Sequence, residues 1–130
     1  MIPKVIYKTG PFREIDLPQE IKNIFNDTIE KNPDHKLVYF DDKQCEEFII
    51  KNFDNKVLET YRCLIPSAYK ADFFRYCILY KKGGIWSDLT QKFIEPINGF
   101  IDFEKDELVL VEGAYIGCVK SRGIEIAFMA

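Results

Sequence analysis

The sequence predicts an α/β fold in which helices flank a largely parallel sheet. The first two thirds of the chain alternate strand-like and helix-like segments, which is the pattern of parallel strands joined by helical crossovers. The chain has 130 residues, of which 47% are hydrophobic and 15% are aromatic. A chain of this size and composition can form a hydrophobic core without a metal or disulfide staple.

The N-terminal elements follow from apolar runs and from the residues that interrupt them. IPKVIY, residues 2 to 7, is predicted as a buried strand, and a loop rich in turn residues follows at residues 8 to 16. Apolar residues then recur at helical spacing over residues 17 to 33, with Pro18 suited to the first turn. KLVYF, residues 36 to 40, is predicted as the second strand.

Three helices are predicted after the second strand. Asp41 and Gln44 have the spacing of a capping box, which would begin a helix that ends near Asn52. DNKVLETYRCL predicts a second, short helix. Ser67 is expected to cap the third and longest helix, over residues 68 to 82.

Three further strands are predicted in the last third of the chain. Gly83 suits the left-handed conformation that ends a helix, and the apolar segment IWS follows it. LVLVE at residues 108 to 112 and IEIAFM at residues 124 to 129 complete the set. The last strand ends in AFMA without a polar tail, so we expect residues 1 to 130 to be a single domain that is the front part of a larger unit.

Charge and cysteine usage disfavour several classes of protein. A net charge of −3 and a pI near 5.2 disfavour a surface for nucleic acid. No apolar run approaches the roughly 20 residues of a membrane span, and no signal peptide precedes the first strand. We therefore expect a soluble cytoplasmic protein with reduced thiols and no zinc site, because the cysteines are widely spaced. They are Cys45, Cys63, Cys77 and Cys118, and the single histidine, His35, is expected in a surface loop.

The longest predicted helix carries two charges among apolar residues. Asp72 and Arg75 are three residues apart and therefore share a helix face. The ordinary interpretation is a surface ion pair, which contributes roughly 0.3 kcal/mol to stability. Buried charges instead require a full set of partners, which sugar hydroxyls and phosphate oxygens would supply. A structural ion pair and a ligand site both remain open.

A third acid follows the IWS strand. Asp88 lies at its predicted carboxyl end, where parallel sheets bind their ligands. Strand alternation predicts that Asp88 and Thr90 face the same side. Two carboxylates at this spacing would hold a hard divalent cation, although position 90 is a threonine. A simple turn residue is the alternative interpretation of Asp88.

Three segments resemble one known family. IPKVIYKT, NPDHKLVYFDD and, above all, ADFFRYCILYKKGGIWSDLT are similar to the glycosyltransferases with a DXD sugar-binding region, over roughly residues 2 to 97. That family includes the yeast initiating α-1,6-mannosyltransferase and the vertebrate α-1,4-galactosyltransferase; the clostridial glucosylating toxins are more distant relatives. The resemblance implies a GT-A type fold of which this chain is the donor-binding part. It also implies transfer of a hexose, with retention, from a UDP- or GDP-linked sugar to a hydroxyl of a glycan or protein acceptor.

The resemblance also implies a donor site. Asp72 and Arg75 would hold the donor sugar and its phosphate side. Trp86, where the family usually has tyrosine, would line the nucleotide pocket. Tyr7, which replaces a histidine of the family, would also contact the donor.

The acidic pair of the family corresponds to Asp88 and Thr90. These positions would bind Mn²⁺ or Mg²⁺, and Asp88 would act in catalysis together with Asp72 and Arg75. Thr90 replaces the second acid, and Gly10 stands where the family has an aromatic residue. A non-catalytic or degenerate nucleotide-sugar-binding module is therefore the alternative function. A glycosidase with two carboxylates is a weaker alternative, since no pair of acids is singled out for it.

Overall fold

A single five-stranded sheet with helices packed on it forms the centre of the computed structural model, which describes residues 1–112 and 124–130. The strands are β1 (Val5–Gly10), β2 (Lys36–Asp41), β3 (Ile85–Ser87), β4 (Leu110–Glu112) and β5 (Ile124–Met129). The helices are α1 (Gln19–Lys31), α2 (Asp42–Asn52), α3 (Asn55–Cys63) and α4 (Ser67–Lys82), with 3₁₀ turns at Glu14–Asp16 and Ile97–Gly99.

The sheet confirms the α/β class and is mixed in strand direction. Its order is β2-β1-β3-β5-β4. β1 pairs in parallel with β2 and with β3, whereas β5 is antiparallel to both β3 and β4. The predicted parallel arrangement therefore holds for the first three strands, and the C-terminal strands add an antiparallel half. In the described part of the chain, no helix is long and apolar enough to cross a bilayer.

Strand β1 begins and ends three residues later than the sequence predicted. Lys8 and Thr9 are buried and pair with Tyr39 and Phe40 of β2. A loop was predicted there because a lysine beside glycine and proline is typical of an exposed turn. At Gly10 a Cβ atom would lie 2.9 Å from the Tyr39 hydroxyl oxygen, so a larger residue at this position would have to displace the Tyr39 side chain.

The predicted helix ends are confirmed at α2 and wrong at the start of α4. The Asp41 side chain accepts from the Gln44 amide, and the Gln44 side chain accepts from the Asp41 amide, which is the complete capping box. Ser67 is instead the first residue of α4; Pro66 occupies the cap position, without a side-chain cap bond. A proline before the helix already sets an extended backbone, so the serine is not needed to begin it.

Strand alternation divides the core between the two faces of the sheet. The face covered by α2, α3 and α4 includes the buried residues Tyr7, Ile49, Phe74, Ile78 and Trp86. The opposite face includes Ile6, Ile85, Phe93, Ile97 and Phe128. Cys77 lies in the first core as predicted, and burial raises its pKa to about 11, so its thiol stays protonated. Cys118 lies outside the described residues.

His35 is buried, so the prediction of a surface loop is wrong. Its Nδ1 lies 2.8 Å from the Asp34 carboxylate, and its ring meets the edge of Phe103 at a centroid distance of 5.1 Å. The segment that carries Phe103 is remote in sequence and covers the turn before β2. The residues around His35 alone cannot show that a segment distant in sequence buries it.

Candidate functional site

A pocket of about 250 Å³ lies at the carboxyl ends of β1 and β3, where a parallel sheet binds its ligands. It brings together five of the residues that the sequence singled out: Asp72, Arg75, Trp86, Asp88 and Thr90. Its remaining lining residues are Thr9, Ala68, Ala71 and Leu89. Helix α4 supplies two of the charged groups, and the segment after β3 supplies the third.

Arg75 is the central charge of this pocket. Only 2% of the residue is exposed, and its Nη2 lies 2.5 Å from Asp72 Oδ1 and 3.3 Å from Asp88 Oδ1. Nη1 donates to the carbonyl of Ile126 in β5, and the guanidinium lies over the Trp86 ring at 5.1 Å. The Nε–H has no partner among the described residues. The guanidinium is therefore held on several sides.

The two carboxylates that contact Arg75 remain open to solvent. The side chains of Asp72 and Asp88 are 45% and 42% exposed. Both can therefore accept hydrogen bonds from a polar ligand while they stay paired with the guanidinium. The helix pair predicted from the i, i+3 spacing exists, and it extends to a third residue that the spacing could not reveal.

Trp86 positions Asp88 from the core. The indole is 1% exposed, packs against Phe74 and donates from Nε1 to Asp88 Oδ1 at 2.8 Å. The backbone amide of Asp88 donates to the carbonyl of Ala127 at 2.9 Å. The carboxylate is thus fixed by β3 and β5 together, and the edge of the indole is part of the pocket wall.

Asp88 and Thr90 share the pocket through a turn, so the expected strand alternation is wrong. β3 ends at Ser87, and the amide of Gln91 donates back to the carbonyl of Asp88 at 3.0 Å. The turn nevertheless places both side chains on the pocket wall.

The described residues contain no cluster of three or more His, Cys, Asp or Glu side chains that could hold a metal ion. Asp88 and Thr90 together offer one carboxylate and one hydroxyl. Both are oxygen ligands of the kind that Mn²⁺ and Mg²⁺ accept. Asp88 and Thr90 by themselves supply only part of a coordination sphere, so ligand oxygens would have to complete it.

Tyr7 lies apart from the pocket. It is buried in the core beside Phe40, with ring centroids 6.3 Å apart, and burial raises the pKa of its hydroxyl. It pairs with Trp86 across β1 and β3. Tyr7 does not line the pocket around Arg75, so its contact with a donor stays a prediction.

Lys8 is the site residue that sequence reasoning missed. Its Nζ is buried and donates to Ser87 Oγ at 2.9 Å, to the Asp88 carbonyl at 2.7 Å and to the Gln91 carbonyl at 3.1 Å. Burial lowers the pKa of Lys8 to about 8, and the negative charge of Asp88 opposes that shift. Lys8 lies two residues after buried Ile6 and therefore points to the same face of β1. The sequence prediction missed this because it ended the strand at residue 7.

Other cavities of the described structure differ from this pocket in character. One of about 160 Å³ adjoins the charged pocket, shares Thr9 and Leu89 with it, and adds Asp42 and Lys70. A larger one of about 570 Å³ lies at the other end of α4 and β3 and is lined mostly by apolar side chains. Because a charged ligand needs charged partners, the apolar cavity is a poor candidate, and we assign the site to the pocket in which the predicted charged residues meet around Arg75.

Comparison with known proteins gives a consistent group of matches. Residues 18–106, more than half of the chain, match the family model described as "Glycosyltransferase sugar-binding region containing DXD motif". The chain is 36% identical over 83 residues to the initiation-specific alpha-1,6-mannosyltransferase of Candida albicans, covering 62% of this chain and 21% of that protein. It is 31% identical over 121 residues to the protein of that name in Schizosaccharomyces pombe, covering 86% of this chain and 29% of that protein.

A third relative extends this group. The chain is 35% identical over 88 residues to inositol phosphoceramide mannosyltransferase 3 of Schizosaccharomyces pombe, covering 68% of this chain and 24% of that protein. The chain therefore spans less than a third of the length of these three relatives. No solved structure matches the chain.

Proposed function

The chain belongs to the family of glycosyltransferases with a DXD sugar-binding region, and on that premise we propose that the pocket around Arg75 binds a nucleotide sugar. The proposed reaction transfers the hexose, with retention, to a hydroxyl of a glycan or protein acceptor. The observation that carries this proposal is the buried guanidinium between two half-exposed carboxylates at the carboxyl ends of β1 and β3. The mixed α/β sheet is consistent with a GT-A type domain.

Each charged group has a proposed role that follows from its exposure. Asp72 accepts hydrogen bonds from sugar hydroxyls, because its carboxylate is half exposed beside the pocket. Arg75 faces the phosphate side, where its fixed positive charge stabilises the negative charge that develops on the departing diphosphate. Asp88 orients the guanidinium and the turn. The indole edge of Trp86 forms the wall against which the nucleotide rests.

The transfer itself exchanges one bond at the anomeric carbon for another. The bond to the phosphate oxygen breaks, and positive charge builds on the anomeric carbon. The acceptor hydroxyl forms the new bond on the same face, and its proton passes to the departing phosphate. The three relatives described above are named mannosyltransferases, so we propose mannose as the hexose, carried by GDP or UDP.

We also propose that Mn²⁺ or Mg²⁺ is held by Asp88 and Thr90 together with diphosphate oxygens of the donor. The carboxylate and the hydroxyl fit such a cation as hard oxygen ligands, and they are too few to hold it strongly alone. A bound cation would supply Lewis-acid stabilisation of the leaving group.

The alternative proposal is a non-catalytic nucleotide-sugar-binding module. Thr90 favours it, because a threonine lacks the charge and the second oxygen of the usual acid. In both proposals the binding partner is the same nucleotide sugar, and only turnover separates them. The cytoplasmic location and the single donor-binding domain stay predictions.

Titration calorimetry and thermal unfolding with UDP, GDP and their hexose derivatives, with and without Mn²⁺, test the donor site. A ligand at one hundred times its dissociation constant should stabilise the protein by about 2.7 kcal/mol. Wild type should bind Mn²⁺ weakly alone and better with a nucleoside diphosphate. Thr90→Asp should tighten Mn²⁺ binding by about tenfold, or about 1.4 kcal/mol, because it adds a charged ligand to the same pocket wall.

An assay of donor hydrolysis and of transfer to an acceptor, run with Mn²⁺ and again with a chelator, separates the two proposals. Hydrolysis or transfer of a bound donor that stops when a chelator is added supports the metal-assisted transferase. Binding without turnover under all conditions supports the module. If no nucleotide or nucleotide sugar binds, the donor-site proposal is wrong.

A further inference from the structure

We propose that Lys8 is a positioning residue of the donor site, which fixes the turn that carries Asp88 and Thr90. This inference rests on the proposed function, since the turn matters for a ligand only if the pocket binds one. Lys8 itself lies outside the pocket wall. Its effect on a ligand must therefore pass through the turn.

The hydrogen bonds of the ammonium group support this role. A lysine ammonium has three N–H donors, and the structure provides three acceptors: Ser87 Oγ at 2.9 Å, the Asp88 carbonyl at 2.7 Å and the Gln91 carbonyl at 3.1 Å. Lys8 is 0% exposed, so water does not compete for these donors. All three acceptors belong to the segment from the end of β3 to the end of the turn.

Strand alternation explains why Lys8 reaches this segment. Ile6 pairs with Ile85 across β1 and β3, so Lys8 and Ser87, two residues further along each strand, point to the same face. That face is opposite to the one that carries Trp86 and α4. Lys8 therefore contacts the turn from one side of the sheet, while Trp86 and Arg75 hold the Asp88 carboxylate from the other side.

The polar groups beneath the turn form one connected network. Ser87 Oγ accepts from Lys8 and donates to Gln91 Oε1 at 3.0 Å. The Asp88 carbonyl accepts from both Lys8 and the amide of Gln91. Removal of the ammonium takes one buried hydrogen bond from each of two carbonyls and a hydroxyl, and movement of the turn would allow water to replace them.

A lysine that only filled the core would be a poor choice at this position. Burial of an ammonium group is costly unless its donors are satisfied, and an apolar side chain of similar length would fill the same volume. The position of all three acceptors on one short segment indicates that the charged group organises that segment.

Lys8→Met tests this proposal, because methionine retains most of the stem and lacks the ammonium group. Trp86 is the single tryptophan of the chain and donates to Asp88, so its emission reports directly on the turn. We expect a folded variant whose tryptophan emission shifts and is quenched more readily by acrylamide. Its affinity for the probes UDP and GDP should fall by about tenfold, which is the scale of one lost charged hydrogen bond.

Lys31→Met is the matched control. Lys31 also donates to a loop carbonyl, that of Phe93 at 2.8 Å, and it pairs with Asp27 on the same helix. It does not line the pocket. This variant should leave both the Trp86 emission and the affinity for UDP and GDP unchanged.

Ser87→Ala tests the same proposal if the Lys8→Met protein does not fold. It removes one acceptor of Lys8 and the link to Gln91, and it should change the Trp86 signal in the same direction by a smaller amount. Unchanged emission, quenching and nucleotide affinity in a folded variant, beside a wild type that binds nucleotide, would overturn the role of Lys8 alone. A wild type that binds no nucleotide would overturn the proposed function, while the Trp86 signal would still report whether Lys8 positions the turn.

Discussion

At the scale of single residues, the site depends on one guanidinium that contacts two carboxylates, a carbonyl and an indole. Arg75 can do this because its planar fork presents several donors in fixed directions. Asp72 and Asp88 are both half exposed, so water could solvate each of them without the arginine. Arg75, in contrast, is buried and holds both carboxylates in place. Its loss should therefore lower both the stability of the protein and its affinity for a ligand.

Arg75→Lys should lower the free energy of unfolding by about 2 kcal/mol and abolish most of the affinity for a nucleoside diphosphate. An ammonium group cannot contact Asp72 and the Ile126 carbonyl and also stack on Trp86. Urea unfolding and titration calorimetry measure the two effects. Arg62→Lys is the control: Arg62 pairs with Glu46 on the surface at 2.5 Å, and its replacement should cost less than about 0.5 kcal/mol. An Arg75→Lys protein as stable as this control, with full nucleotide affinity, would remove Arg75 from the site.

The sequence singled out Arg75 but missed Lys8, and the difference lies in how far along the chain their partners are. Asp72 and Arg75 lie three residues apart on one helix, so helical spacing alone places them together. The partners of Lys8 lie 79 to 83 residues away, and its burial depends on a strand end that was predicted too early. Short-range partners can be predicted from a pattern, whereas partners joined by the sheet require the structure.

At the scale of elements, the connection between α4 and β3 brings the charged groups of the site together. Gly83 has a positive φ of +62°, as predicted, but its ψ of −159° is not that of the left-handed helical conformation; Gly84 has φ +96°. A Cβ atom at position 84 would lie 2.8 Å from the carbonyl oxygen of Val5 and 2.8 Å from the ring of Tyr7. Glycine therefore allows β3 to begin directly against β1, and α4 and Asp88 meet at the far end of that strand.

Gly84→Ala should destabilise the protein by about 3 kcal/mol, because it combines a strained positive φ with a clash against backbone. Gly99→Ala is a matched control, since its φ is not positive and the nearest atom to an added Cβ is 4.0 Å away. That variant should be as stable as wild type or slightly more stable. Urea unfolding of both variants measures the difference. Equal stability of the two would contradict the requirement for glycine at position 84.

The same elements show which parts of the fold a sequence specifies locally. The capping box at Asp41 and the glycine after α4 were predicted correctly, because each acts within a few residues. The antiparallel pairing of β5 with β3 could not be predicted, since strand direction depends on the path of the chain between them. β3 has only three residues and ends at Ser87, so Asp88 and Thr90 lie in a turn where the sequence predicted a longer strand.

At the scale of the whole molecule, one surface carboxylate joins three segments at the end of the sheet opposite the pocket. Asp34 accepts from Lys4, which precedes β1, at 2.5 Å and from Asn98 in the second 3₁₀ turn at 3.0 Å. It also contacts Nδ1 of His35, which precedes β2, at 2.8 Å. These three hydrogen bonds hold the pKa of the Asp34 carboxyl well below its usual range.

Asp34→Asn should therefore change how stability depends on pH. Since the pKa of Asp34 is lower in the folded state, the unfolded chain binds a proton first as the pH falls. The contribution of Asp34 is thus complete above about pH 4, the ordinary pKa of an aspartate, and is lost progressively below it. Asp34→Asn should be less stable than wild type at pH 7, and the difference should shrink as the pH falls from about 4 to about 2.

Urea unfolding midpoints of both proteins over this range measure that difference. Affinity for UDP and GDP at pH 7 should be the same in both, because Asp34 lies at the amino ends of β1 and β2 and the pocket lies at the carboxyl ends of β1 and β3. A constant difference in midpoint from pH 7 to pH 2 would show that the carboxylate charge of Asp34 does not hold the three segments together. A loss of nucleotide affinity would instead show that the two ends of the sheet are coupled.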